Sequence, residues 1–115
     1  MTPSASIVAA AAVTETVTDS DGRRITVRKL SALDRLRLFK AAGPTLAQNQ
    51  PWLGMALIAS SVSAIDELPV PPPSNELQIE AVIGRLGDPG IAAVVQVLQQ
   101  FAEPTPAEQV ATAGN

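Results

Sequence analysis

Residues 21–42 of this chain read DGRRITVRKLSALDRLRLFKAA and place a strand directly before a helix. Asp21-Gly22 is a turn signal, and the residues after it alternate polar and apolar side chains, with β-branched Ile25 and Val27 on the apolar side. This pattern predicts a strand paired with residues 14–18, so that the Asp-Gly loop closes a hairpin. A two-stranded hairpin is marginal by itself in water, so its apolar side chains must pack on helices.

The second half of the same stretch predicts the first helix. Ser31 and Asp34 have the spacing of a capping box, and Gly43-Pro44 is a helix-terminating pair. The side chains that fall within one arc of about 120° on a helical projection are Leu33, Leu36 and Phe39. They form the expected core stripe of this helix, and Leu38 lies outside it.

A second helix is expected to begin at Pro51, a residue favoured at the start of a helix. Residues 52–59 are apolar on every side, which is typical of a helix buried all round. The next segment, residues 65–73, contains four prolines. It predicts an extended linker or a short edge strand at Ala64-Ile65.

Two more helices follow the prolines. Asn75 and Gln78 form a capping pair for a helix that should stop at Gly87, and Asp88-Pro89 should start the last helix. We therefore expect a mainly α (α+β) fold, in which a short N-terminal β-hairpin is followed by about four helices.

The two ends of the chain differ in composition from its middle. Residues 1–18 are poor in bulky side chains, which predicts a flexible arm that can supply the first hairpin strand. Residues 103–115 carry two prolines among small and polar residues, which predicts a disordered tail. A helical domain is expected over residues 19–102.

The composition excludes several classes of function. The 115 residues include no His and no Cys, which removes Ser-His-Asp and Cys-His catalysis, imidazole or thiolate metal sites and disulfides. We therefore expect a protein that is not an enzyme and has no cofactor or metal. The N-terminal apolar stretch is short and follows no basic residue, so we expect neither a signal peptide nor a membrane association.

The charges are segregated along the chain. Seven of the eight basic residues lie between Arg23 and Lys40, where only Asp34 opposes them. This segment carries +6 and the remainder −9, because the whole chain carries −3. The basic segment could meet an acidic protein surface, a phosphate backbone or the acidic part of another copy. The alternative is a solvated face whose charges pair internally.

Two acidic motifs do not fit metal sites. In Asp19-Ser20-Asp21-Gly22 the glycine comes at the fourth position rather than the sixth, and Leu30 stands where a calcium loop needs Glu. Glu76 and Glu80 lie in the first turns of a predicted helix, where acidic residues complement the helix dipole.

Several of these elements together resemble the tail assembly chaperones of long-tailed bacteriophages and prophages. They are the Asp-Gly turn into a basic strand, the Leu-Asp-Arg-Leu helix at residues 33–36, the apolar helix behind Pro51, the Ile-Asp-x-x-Pro-Val-Pro linker from Ile65 and the Arg-Leu-Gly stop at residues 85–87. The likeness covers about residues 19–102 and includes no catalytic motif.

The resemblance implies a small, mostly helical protein of the host cytoplasm. Such a chaperone coats the long, partly hydrophobic tape measure protein and keeps it soluble and extended while tail tube subunits polymerise around it. It is not retained in the mature virion. The tail tube protein is a second candidate partner.

The expected partner-binding residues come from the helix patterns. They are Arg35, Arg37, Leu38, Trp52 and Met55. We expect Leu38, Trp52 and Met55 to line a groove for the apolar face of a tape measure segment, with the two arginines steering acidic residues at its rim. The competing interpretations of these residues are an interface between chaperone copies and ordinary core.

Two other functions fit the same sequence. One is a structural virion component, such as a tail tube or head-tail joining protein. The other is a small nucleic-acid-binding helical module that uses residues 23–40, which the overall acidity and the shortage of stacking residues disfavour. The sequence leaves open whether the protein is a homo-oligomer.

Overall fold

The computed structural model describes residues 13–102; the predicted arm up to residue 12 and the predicted tail from residue 103 lie outside the described residues. This part of the chain forms four strands and three helices. They are β1 (Thr14–Thr18), β2 (Arg24–Arg28), α1 (Ala32–Leu46), α2 (Gln50–Ser61), β3 (Val62–Ile65), β4 (Leu68–Pro69) and α3 (Glu76–Ala102).

The strands form one antiparallel sheet in the order β1-β2-β3-β4. The hairpin expected across Asp21-Gly22 is present, with Thr18 opposite Arg24 and Thr14 opposite Arg28. Gly22 lies at φ +84°, a conformation that suits glycine because it has no Cβ.

The predicted fold, a hairpin followed by about four helices, is wrong in its strands. A strand does form at Ala64-Ile65, but it begins at Val62 and, as β3, lies inside the sheet between β2 and β4 rather than at its edge. Ile65 pairs with Ile25 and Val62 with Val27, because β2 leaves an open edge that an apolar strand can fill. Asp66 and Glu67, both at positive φ, then turn the chain into the two-residue strand β4.

The helix count is also wrong, because residues 13–102 form three helices. The predicted stop at Gly87 is a kink inside α3, where this glycine lies at φ 61° and ψ −176°. Such a conformation is essentially restricted to glycine and breaks the helical ladder locally. The side chain of Arg23 reaches the kink and donates from Nη1 to the Arg85 carbonyl at 2.7 Å and from Nη2 to the Leu86 carbonyl. Arg23 thereby supplies donors to carbonyl groups at the point where the helical hydrogen-bond ladder is interrupted.

The core lies between one face of the sheet and the helices. The two apolar side chains of β2, Ile25 and Val27, are fully buried. Helix α3 packs against α2, β2 and β1, and α1 packs against α2. Residues of α3 enter the core on both sides of the kink; they are Ile79, Val82, Leu86, Ala93, Val94 and Val97.

Helix α3 is also long and apolar enough to cross a membrane, by length and composition alone, and a third of its most apolar window is buried. A core helix passes the same test. The kink at Gly87 and the packing of both halves on the sheet and α2 fit that second interpretation.

The core stripe predicted for α1 is wrong, and so is the placement of Leu38 outside the core. Leu38 is 3% exposed and belongs to the main hydrophobic cluster, and Ala42 is buried beside it on the helix. The reason lies four residues before Leu38. Asp34 closes the capping box with Ser31 and pairs with Arg28 of β2, at 3.3 Å. Residues four apart share a helix face, so Asp34, which is tied to β2 through Arg28, places Leu38 on the inner face of α1, and this helix packs against α2.

The apolar sequence of α2 predicts a helix that is buried all round, and this prediction is wrong. Its core face consists of small side chains and one leucine; these residues are Leu53, Ala56, Ala59, Ser60 and Ser61. Gly54 and Met55 on the other side are exposed. Asn49 caps the helix by accepting a hydrogen bond from the Trp52 amide at 3.2 Å.

Candidate functional site

The outer face of α1 carries an unusual amount of apolar surface. Leu36 is 62% exposed, Leu33 51% and Phe39 40%. We call these three side chains the α1 stripe. They follow one another at i, i+3 and i+6, so they form a continuous row along the helix on the side opposite Leu38. Because the described residues leave this row open, it is available to a partner.

Cations surround the α1 stripe. At about 100° per residue, Arg35 lies along one edge of the row, Arg37 along the other edge and Lys40 at its C-terminal end. All three residues are exposed, and none forms a salt bridge to another residue within the described part of the chain. The result is an apolar row with a basic border.

The three arginines that precede α1 behave differently, because each forms an ion pair within residues 13–102. Arg23 pairs with Asp19 at 2.9 Å, and Arg28 pairs with Asp34. Arg24 pairs with Glu67 at 3.3 Å across the end of the sheet. The basic segment therefore divides into a strand part that is used inside the fold and a helix part that is not.

Arg23 and Asp19 connect the hairpin to the kink of α3. The carboxylate of Asp19 accepts hydrogen bonds from the Arg23 amide and Nε and from the Asp21 amide, at 2.9 to 3.0 Å. Burial by itself raises the pKa of Asp19, but these hydrogen bonds and the Arg23 charge outweigh it and hold the pKa below its ordinary value. This carboxylate stabilises the hairpin turn.

Arg28 and Asp34 connect β2 to the start of α1 and the end of α2. Arg28 Nη2 donates to the Ser60 carbonyl at 3.0 Å, and Nη1 lies 3.3 Å from an Asp34 carboxylate oxygen. Burial raises the pKa of Asp34, but hydrogen bonds from Ser31 and the charge and hydrogen bond of Arg28 outweigh it and hold the pKa below its ordinary value.

A cavity of about 240 Å³ opens beside Arg35, between the start of α1 and the C-terminal end of α3. Its walls are mostly apolar and include Leu30, Leu57, Leu98 and Phe101, with Lys29 at the side. Arg35 thus borders both this cavity and the α1 stripe. A cavity of this size could accept one apolar side chain of a partner that lies along α1.

The structure separates the residues predicted to bind a partner. Trp52 and Met55 do line one cavity, of about 250 Å³, together with Ile79 and Ile83 of α3. Arg37 and the buried Leu38 line a different one, of about 70 Å³, against Pro72 and Pro73, and Arg35 lines the cavity described above. No shared groove brings all five together among residues 13–102.

The sequence analysis missed the α1 stripe because it assigned those residues to the core. A usable signal is present in the sequence: the large apolar residues of the stripe alternate with Arg35, Arg37 and Lys40, whose charges favour solvent. The opposite side of the helix carries Leu38 and Ala42, and the charge of Asp34 on that side is paired with Arg28.

Residues 13–102 contain no group of three or more Asp or Glu side chains that could hold a metal ion. The features that remain are a basic-bordered apolar row and apolar cavities, which can bind another polypeptide. No protein-family model, no curated protein and no solved structure matches this chain. The likeness to tail assembly chaperones therefore rests on the sequence motifs quoted above.

Proposed function

We propose that this protein is a tail assembly chaperone that binds a tape measure protein and keeps it soluble while tail tube subunits polymerise around it. It acts in the host cytoplasm as a non-enzymatic binding protein and leaves before the particle is complete. The proposal joins the sequence resemblance to one structural observation, the exposure of Leu33, Leu36 and Phe39 on α1.

That observation supports a chaperone because this exposure is costly without a partner. Burying a large aliphatic or aromatic side chain stabilises a protein by about 1.5–3 kcal/mol, yet three such residues on one helix are left 40% to 62% exposed. Exposed apolar rows of this kind mark interaction sites. A long, partly hydrophobic protein is a suitable partner, since many weak contacts along one ligand add up through multivalency.

The test is co-expression with the tape measure protein encoded in the same genome. We expect the tape measure protein to be soluble with the wild-type chain and to aggregate with a Leu36→Glu variant. Leu77→Glu is the matched control, because Leu77 is 76% exposed on another helix and outside the α1 stripe. An insoluble tape measure protein in the presence of the wild-type chain would refute the proposal. Recovery of the chain in purified mature particles would instead favour a structural virion component.

A further inference from the structure

The surface of helix α1 has a chemistry that specifies which kind of polypeptide it can bind. Its exposed apolar row of Leu33, Leu36 and Phe39 spans an arc of about 120° on the helix, which is similar to the apolar face of an amphipathic helix, and two such faces can pack side by side. The border of the row is cationic through Arg35, Arg37 and Lys40. These three charges have no anionic partner among residues 13–102.

We infer that the α1 stripe is a docking site for an acidic amphipathic helix. The apolar face of that helix packs on the stripe, and Glu or Asp residues beside its apolar face meet Arg35 and Arg37. Lys29, which is also exposed, extends the positive border past the adjoining cavity. This inference rests on the proposed function in that it describes the kind of tape measure segment the chain would hold.

Charge decides against a second copy of the same face as the occupant. In a symmetric dimer each residue of the interface meets the equivalent interface of its partner. Two α1 surfaces would then bring Arg35, Arg37 and Lys40 of one copy close to the same cations of the other. Like charges brought together at an interface are costly, so the stripe selects an acidic partner.

The arrangement also distinguishes this surface from a nucleic-acid site. A phosphate backbone is contacted by cations and hydrogen-bond donors along its path. On α1 the middle of the surface is occupied by leucine and phenylalanine side chains, and the cations lie at the edges. That order matches an amphipathic helix, which has an apolar centre and charged borders.

Two synthetic peptides of about 20 residues test the inference. They share one leucine face at i, i+3, i+4 and i+7; one carries Glu and the other Lys at the positions beside that face. We expect the full-length chain to bind the Glu peptide at least about tenfold more tightly than the Lys peptide in a fluorescence anisotropy titration. Equal affinities for the two peptides would overturn the inference.

Two sets of variants locate the site. Arg35→Glu/Arg37→Glu should weaken binding of the Glu peptide by about tenfold or more, whereas Arg24→Glu/Arg85→Glu, which changes the net charge equally, should leave it within about twofold. Leu36→Ser should weaken it and Leu77→Ser should not. Equal losses in the variants and their controls would overturn the placement on α1. Circular dichroism confirms that each variant is folded.

Two other occupants would appear as distinct outcomes. Self-association in sedimentation that Leu36→Ser abolishes, without binding of the Glu peptide, would assign the stripe to a second copy and overturn the inference. Displacement of the peptide by duplex DNA would overturn it in favour of nucleic acid. Neither peptide is a tape measure protein, so the two proposals can fail separately. If the Glu peptide binds but the tape measure protein stays insoluble, only the proposed function is refuted. If the tape measure protein is solubilised but the Glu peptide does not bind, only this inference is refuted.

Discussion

Strand β2 and helix α1 are neighbours in the sequence and similar in composition, but the fold uses them in opposite ways. In β2 the apolar side chains Ile25 and Val27 are buried, and the arginines in and beside the strand form ion pairs within the domain. In α1 the largest apolar side chains are exposed, and the basic residues between them make no such pairs among residues 13–102. A run of like charges can therefore contain both structural residues and residues available for binding.

The largest expected effect separates the two faces of α1 itself. Leu38→Ala should lower the free energy of unfolding by about 2–5 kcal/mol, because it removes buried methyl groups and leaves a cavity. Leu36→Ala should change it by less than about 0.5 kcal/mol, since that side chain is exposed. Urea denaturation of the two variants measures both values, and equal losses would contradict the assignment of the faces.

The next effect tests the arginines of the strand region. Arg23→Gln should cost about 2 kcal/mol, because the guanidinium contributes charge-assisted hydrogen bonds to Asp19 and to the carbonyls at the α3 kink. Arg24→Gln should cost less than about 0.5 kcal/mol, because the side chains of its pair with Glu67 are 61% and 82% exposed. Thermal unfolding measures the loss of stability in each variant. Equal losses for Arg23→Gln and Arg24→Gln would contradict this prediction.

A smaller effect concerns the junction between β2 and α1. Ser31→Ala removes the N-cap acceptor for the Asp34 amide and should cost about 1 kcal/mol. Ser31→Thr keeps the hydroxyl and should recover most of that loss. If the alanine variant unfolds at the same denaturant concentration as the wild type, the capping box does not stabilise α1.

The smallest effect is a dependence of stability on pH. The pKa values of Asp19 and Asp34 are lowered in the folded state, so each carboxylate contributes stability that is present above its unfolded pKa, near 3.8. That stability is lost as the pH falls through the lower, folded pKa. Unfolding measured from pH 6 down to the acid limit should therefore show a shallower pH dependence for Asp19→Asn than for the wild type below about pH 4. An unchanged slope would mean that Asp19 is not held ionised by Arg23.

Local signals predicted local structure well. The Asp-Gly turn and alternating residues before Leu30 identified the β1–β2 hairpin, and the Ser31–Asp34 spacing identified the capping box of α1. The Asn75 cap of α3 is also present, with the Asn75 side chain accepting from the Gln78 amide at 2.9 Å. Each of these features depends on residues a few positions apart, so short stretches of sequence contain the information.

The features that the sequence analysis missed depend on distant contacts. At the Gly87 kink, the carbonyls of Arg85 and Leu86 accept hydrogen bonds from Arg23, which is far away in the sequence. The strand β3 forms because β2 has a free edge. Of the candidate site, the sequence analysis identified Arg35 and Arg37 but not the apolar row between them, since periodicity shows that a helix has an apolar face and not which face is covered.

The sequence by itself determined the hairpin, the helix caps, the aliphatic core composition and the concentration of positive charge between Arg23 and Lys40. Only the tertiary structure decided which of these charges and which leucines are left for a partner. The physical reason is that α1 has two faces able to pack, one with Leu38 and Ala42 and one with the α1 stripe. The first face is buried, with Leu38 in the core cluster, Asp34 paired with Arg28 of β2 and α1 packed on α2, so the second face is left toward solvent.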